Sequence, residues 1–313
     1  MKKDTLNEKQ ILGKKLFFDT KLSLNGTKAC ASCHDPNFAF TDGYRKSTGL
    51  EADVLDHNAP SLINAKYRKV LHWSNPNITT FEQQMLKPLF SITPKELGLD
   101  SNNKEYLSKF ENDKEYKKLF KLAFPNDTTI TYGSIIMAIT EFVKTLNSFN
   151  STYDNFVKGN KNAISASAKR GLELFNSDNY ACNKCHVPPL FTDNNFYNIG
   201  LYFQYPSNDL GLSMFTNLSK DDGKFKTPSL RNVMNTSPYM HDGGIETIND
   251  VIDFFYNGGC KNPQKDTLIK RINYSEKDKL DIIEFLYTLT DTTISKNINF
   301  IENNKFENSK LDY

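Results

Sequence analysis

The chain has 313 residues, 38% hydrophobic and 24% charged, enough to bury a sizeable core in one large domain or two of about 150 residues each. Its 39 Lys and Arg against 37 Asp and Glu leave a formal net charge of +2, which argues against a general nucleic-acid binder. No apolar run approaches the roughly 20 residues of a membrane-spanning helix.

In chain order, the first predicted element is a short helix at Leu12-Gly13-Lys14-Lys15-Leu16-Phe17. Cys30-Ala31-Ser32-Cys33-His34 follows, then a turn with Asp35-Pro36 and Phe40-Thr41-Asp42. Apolar residues at Ile139, Phe142, Val143, Leu146 and Phe149 have helical spacing, with Ser134 as a candidate cap. Lys158 to Asn162 is polar and holds a glycine, which reads as a linker. The opening pattern then returns: Arg170-Gly171-Leu172-Glu173-Leu174-Phe175, Cys182-Asn183-Lys184-Cys185-His186, Pro188, and Phe191-Thr192-Asp193. A stripe of Leu280, Ile283, Leu286 and Tyr287 marks a late helix, and Asp291 to Tyr313 reads as a polar surface tail.

Cys-x-x-Cys-His is the attachment pattern of a c-type haem. Two thiols add across the haem vinyl groups, and the adjoining imidazole becomes the proximal iron ligand. A zinc site drawing on both pairs, or a redox dithiol using one, would employ the same cysteines. Neither accounts for a His in the same place twice. The two motif histidines are 152 residues apart, so each haem can have its own domain. The expected fold is mainly α, with two cytochrome c-like domains at 1–160 and 161–300, long loops, and a tail at 301–313. Cys260 is left over and reads as a lone, partly buried thiol. Covalent haem is normally attached outside the bacterial cytoplasm. Met1-Lys2-Lys3-Asp4 opens no signal peptide, so the expectation is a periplasmic protein in mature form.

With these residues in view, the chain resembles the bacterial di-haem cytochrome c peroxidase family, including its MauG-like branch. The resemblance runs from about Leu12 to Thr290 and rests on several motifs. They are Leu12 to Asp19 with Leu22-Ser23, Asn58-Ala59-Pro60-Ser61-Leu62-Ile63-Asn64, Thr227 to Val233, and Ser237-Pro238-Tyr239-Met240-His241-Asp242-Gly243. Pro88 to Gly98, and the region from Gly200-Leu201-Tyr202 to Met214-Phe215-Thr216, are similar to the methanobactin-associated di-haem branch, whose members oxidise tryptophan on a partner protein.

The resemblance implies a peroxide-reactive N-terminal haem held by Cys30, Cys33 and proximal His34, and a C-terminal haem held by Cys182, Cys185 and proximal His186. Glu96 would be the acid–base group and Gln84 the distal amide. Trp73, the single tryptophan, would lie between the haems as a relay, and His72 beside it would be a packed or solvent-facing residue. Family members that need reductive activation carry a distal His between the first haem motif and Asn58. Asp35 to Asp56 contains none, and His57 would contact a haem propionate, so the N-terminal haem is expected to be five-coordinate without priming. The family's distal ligand of the second haem maps onto Phe255, which cannot ligate iron. A one-residue bulge would bring in Tyr256, with Met240, Met214 or a vacant position as alternatives. A calcium ion would take the Asn58 side chain and the carbonyls of Thr236 and Pro238.

The implied activity is reduction of hydrogen peroxide, with electrons from a small cytochrome c or cupredoxin delivered through the C-terminal haem. An alternative is a MauG-like enzyme that uses peroxide to oxidise Trp or Tyr side chains of a partner protein. Another is a di-haem electron-transfer cytochrome without peroxide chemistry. Family members are often dimers.

Overall fold

The computed structural model describes residues 6–297 and 299–301. The described chain is mainly helical. Its helices are α1 (Glu8–Phe18), α2 (Phe81–Phe90), α3 (Ser108–Glu111), α4 (Lys114–Ala123), α5 (Tyr132–Val143), α6 (Thr152–Val157), α7 (Ala166–Asn176), α8 (Ser213–Thr216), α9 (Ile248–Asn257) and α10 (Glu276–Tyr287). One antiparallel pair, β1 (Phe196–Tyr197) with β2 (Phe225–Lys226), is the strand structure among these residues.

Two helix crossings organise two hydrophobic cores. Gly13 of α1 meets α5 so closely that a Cβ there would lie 1.9 Å from the Ala138 carbonyl oxygen. Gly171 of α7 meets α10 in the same way, 1.9 Å from the Asp281 carbonyl oxygen. No side chain fits either crossing. Around the first, Phe17 packs edge-on against Phe40 and Phe142 at 6.1 and 5.3 Å. Around the second, Phe175 packs against Phe191 and Phe285 at 6.0 and 5.1 Å. These separations are those of interacting aromatic pairs. The internal repeat in the sequence is therefore a repeat of packing.

The repeat extends further than the haem segments. Pro60-Ser61-Leu62-Ile63-Asn64 and Pro228-Ser229-Leu230-Arg231-Asn232 adopt matching turns. Ser61 and Ser229 each donate a hydroxyl at 2.6 Å, to the carbonyls of Ala39 and Leu190. Asn64 and Asn232 both sit in the left-handed region, at φ 56° and 60°. Their side chains meet at one buried network. Asn64 exchanges two 2.9 Å hydrogen bonds with the Ser148 backbone, Asn232 Nδ2 donates to Ser148 Oγ at 3.0 Å, and Ser148 Oγ donates to Asp291 at 3.2 Å.

Three local expectations are corrected. The α5 cap is Thr131, not Ser134. Ser134 is the third helical residue and exchanges 3.0 Å hydrogen bonds with Thr131 in a capping box. The buried face of α10 is Ile282, Ile283, Phe285 and Leu286, while Leu280 and Tyr287 are 58% and 54% exposed. The segment from Asp291 is no surface tail where it is described. Asp291, Ile294 and Phe300 are buried, and the last two belong to the first core. The turn Ile294–Lys296 packs on the turn Pro36–Phe38, next to the first Cys-x-x-Cys-His segment. The rest of the tail, 302–313, lies outside the described residues.

Candidate functional site

Each Cys-x-x-Cys-His segment forms a 3-10 turn at the wall of its own cavity. The first cavity, of about 200 Å³, is lined by Cys30, Cys33 and His34. The second, of about 270 Å³, is lined by Cys182, Cys185 and His186. A zinc site using both cysteine pairs is therefore not formed. Burial pushes the thiols of Cys30, Cys182 and Cys185 up to about 12, the reverse of the lowered value that a reactive dithiol needs.

The two histidines are held alike. His34 Nδ1 is 2.9 Å from the Phe40 carbonyl oxygen, and His186 Nδ1 is 3.0 Å from that of Phe191. Phe40 and Phe191 occupy the left-handed region, at φ 61° and 55°, which turns each carbonyl toward its imidazole. A carbonyl facing Nδ1 fixes the Nδ1–H tautomer and leaves Nε2 as the free lone pair, the usual arrangement of a metal-ligating His.

The first cavity also gathers Gln84 and Glu96. Gln84 comes from α2. Glu96 lies in the following loop, which is tied back to the helix by Leu97 N–H to the Pro88 carbonyl and Leu99 N–H to the Leu89 carbonyl, both 2.9 Å. Gly98, at φ 67°, makes that return possible. Burial raises the Glu96 carboxyl above its ordinary value, and only Lys87 acts against it. Gln84 Oε1 is buried without a hydrogen-bond partner.

Trp73 lines both cavities, as do Asn58 and Arg68. The indole Nε1–H donates to the Asn58 carbonyl at 2.9 Å.

In the second cavity, Tyr256 is buried and its hydroxyl has no partner. Its ring lies 3.8 Å from that of Tyr274. The expected bulge is absent: α9 is a regular helix, and both Phe255 and Tyr256 reach the cavity wall from it. Met240 also lines this cavity. Met214 is half exposed on α8 and lines neither. Asn58, Thr236 and Pro238 all border the second cavity, and the Asn58 Nδ2 donates to the Tyr44 carbonyl at 2.9 Å, which leaves Oδ1 as an acceptor.

His57 borders the first cavity, with Nε2 3.0 Å from Asp209 Oδ1. His72 is packed against the same cavity, and its Nδ1 accepts from the backbone N–H groups of Ser74 and Asn75 at 3.1 and 3.0 Å. Cys260 is exposed rather than partly buried, and it lines neither cavity.

Sequence reasoning missed two cations. Lys226 is 6% exposed beside the second cavity, and burial lowers it to about 7. Its Nζ sits 5.7 Å from the centre of the Trp73 ring. Arg68 is lowered to about 10 by burial, and its Nε has no partner. Neither has an ion-pair partner among the described residues. Lys226 is buried and Arg68 half-buried, and cations so placed without an anion are costly, so both fit a ligand that carries carboxylates. The orphaned atoms of Gln84, Tyr256 and Arg68 all face cavities whose walls carry a haem-attachment segment. The residues present therefore fit two haems.

Residues 7–162 match the family described as di-haem cytochrome c peroxidase. The methylamine utilization protein MauG of Methylorubrum extorquens is 33% identical over 284 residues, which cover 90% of this chain and 78% of that protein. The cytochrome c peroxidase Ccp of Escherichia coli is 30% identical over 289 residues, covering 90% of this chain and 58% of that one. Among solved structures, a MauG-like protein associated with microbial copper homeostasis is 35% identical with a TM-score of 0.92, over 96% of this chain and 94% of the other.

Proposed function

The chain belongs to the di-haem cytochrome c peroxidase family and is an oxidoreductase, and from that premise we propose that it is an exported peroxidase whose two cavities each hold one covalent haem. Cys30 and Cys33 would tether the first haem with His34 beneath its iron, in a domain spanning about 1–160. Cys182, Cys185 and His186 would do the same in a second domain, 161–300, whose last stretch around Ile294 and Phe300 packs into the first core. When bound, each haem supplies an iron centre that exchanges single electrons with the other and with a donor. Arg68 and Lys226 would neutralise propionates. Tyr256 would face the second iron, and Asn58, Thr236 and Pro238 would supply oxygen ligands to a calcium ion.

The observation that carries this reading is the meeting of Glu96 and Gln84 with the first Cys-x-x-Cys-His segment in one cavity. Hydrogen peroxide bound there must lose a proton from one oxygen and gain it on the other for water to leave. A carboxyl raised by burial suits both steps, because its carboxylate takes up a proton more readily than an exposed one and the resulting acid can hand it on. The Gln84 amide would orient the peroxide by hydrogen bonding. Two electrons and two protons would convert each peroxide to two waters, and Trp73, which lines both cavities, would lie on the path between the two haems.

A second reading is that the electrons come from Trp or Tyr side chains of a partner protein. It is favoured by the 0.92 TM-score to the MauG-like copper-homeostasis protein and by a MauG relative at 33% identity. The small donor would otherwise be a cytochrome c or a cupredoxin.

The test is the absorption and EPR spectrum of the fully oxidised protein before and after peroxide. A high-spin five-coordinate ferric haem that reacts at once is expected. If only low-spin haem is present, and peroxide has no effect until one electron is added, the reading of an open first site is wrong.

A further inference from the structure

Aromatic rings lead from the wall of the second cavity to the surface. His241, which lines that cavity, stacks on Phe225 at 3.5 Å. Tyr205 lies 6.4 Å from His241 and 6.0 Å from Phe225, and Tyr202 lies 5.4 Å from Tyr205. At the inner end, the His241 carbonyl accepts the Asn58 N–H at 2.8 Å, and Asn58 in turn accepts the Trp73 indole N–H at 2.9 Å. Every step from Trp73 to Tyr202 is a hydrogen bond, a short covalent stretch or a ring contact.

The two tyrosines differ in what their hydroxyls meet. Tyr205 is buried, and its hydroxyl lies 3.3 Å from the side-chain carbonyl of Asn198, an amide that cannot take up a proton. Tyr202 is partly exposed and donates to the Asp242 carboxylate. Asp242 is buried, and its other contacts are fixed: Oδ2 receives Arg45 Nη2 at 3.2 Å, and Oδ1 receives the Gly244 N–H at 3.0 Å. A phenol that loses an electron becomes a very strong acid, so its oxidation is easy only where a base already holds its proton. Of the two, Tyr202 alone meets that condition. Phe203, the next residue, is 70% exposed, so the chain of rings ends at an apolar, accessible spot.

We propose that Tyr202 is the exit for oxidising equivalents, giving one electron inward along the ring chain while its phenolic proton moves to Asp242. This rests on the peroxidase reading, since hydrogen peroxide is the oxidant. Tyr202 and the Asp242 carboxylate become a neutral phenoxyl radical and a carboxylic acid. A one-electron donor at the surface then reduces the radical, and Asp242 returns the proton. Two such cycles supply the two electrons for one peroxide, with two protons from solvent completing two waters. The donor on this route is any oxidisable group presented at the surface, including an aromatic side chain of another protein.

The test uses the holoprotein with peroxide and no added donor, freeze-quenched for EPR, with tyrosine supplied either normal or ring-deuterated. Wild type should give a tyrosyl signal that narrows on deuteration. In Y202F that signal should fall by about tenfold or more, and in D242N, which keeps the phenol, by a similar factor. Unchanged haem absorbance and thermal midpoint in Y202F establish that the variant is folded. A tyrosyl signal of wild-type size in Y202F, or no tyrosyl signal in a wild type that consumes peroxide, overturns the exit and leaves the peroxidase reading intact. A wild type that does not consume peroxide overturns both.

Discussion

The Trp73 indole donates its Nε1–H to the Asn58 carbonyl at 2.9 Å, and both residues border both cavities. One side chain and one hydrogen bond thus span the wall between the two candidate haem pockets, and Lys226 rests over the same indole.

Trp73→Phe keeps an aromatic ring but removes the N–H and leaves a partly buried carbonyl unpaired, at a cost of about 1–3 kcal/mol. If the indole relays electrons, exchange between the two haems should slow by about tenfold or more while peroxide binding is unaffected. Stopped-flow reduction of the holoprotein measures this. Exchange within about twofold of wild type would restrict Trp73 to packing.

Glu96→Gln should slow peroxide cleavage by about two to four orders of magnitude, the usual effect of losing an acid–base group. The same variant tests the burial of Glu96. Its carboxyl is raised in the folded chain, so between the unfolded and folded values the native state binds more protons. Stability contributed by this group therefore falls as pH rises through that window. Glu96→Gln should melt higher than wild type at neutral pH and equally below about pH 4, where both states are protonated. A variant that melts lower at neutral pH contradicts the assignment of an unfavourably buried carboxylate.

Gly13→Ala and Gly171→Ala each place a methyl group 1.9 Å from a backbone carbonyl oxygen, so the helices must separate. Overpacking of this kind costs typically about 1–3 kcal/mol or more. Gly133→Ala, exposed in the first turn of α5 with its nearest neighbour atom 3.6 Å away, should stabilise by about 0.4–1 kcal/mol. Urea denaturation of the three variants should rank Gly133→Ala above wild type and the other two below it. If Gly171→Ala were neutral, the close crossing of α7 on α10 would be wrong.

Tyr256→Phe removes a buried hydroxyl that has no protein partner, so the fold should lose little stability. The EPR parameters of one haem should change and those of the other should not. An unaltered spectrum would take Tyr256 out of the second iron's coordination and direct attention to Met240, which lines the same cavity.

Chemistry that depends on residue type at short spacing was legible in the sequence. The cysteine pairs, His34 and His186 fall on cavity walls, and Glu96, Gln84 and Trp73 line the same cavity as Cys30, Cys33 and His34. Features that depend on three-dimensional neighbours were not. Thr131 and Ser134 are both good capping types, and only the helix start decides between them. Lys226 looks like any other lysine among 39 Lys and Arg, until the chain folds it over the Trp73 ring. Pro60 to Asn64 and Pro228 to Asn232 stood out in the sequence only as separate motifs, and their equivalence lies in a shared network with Ser148 and Asp291.

Ile294 and Phe300 complete a core whose other members begin at Leu12. Order of synthesis and order of closure therefore run opposite ways. The lobe around Cys30 is begun first in the chain, yet its core lacks two of its members until almost all of the chain has been made.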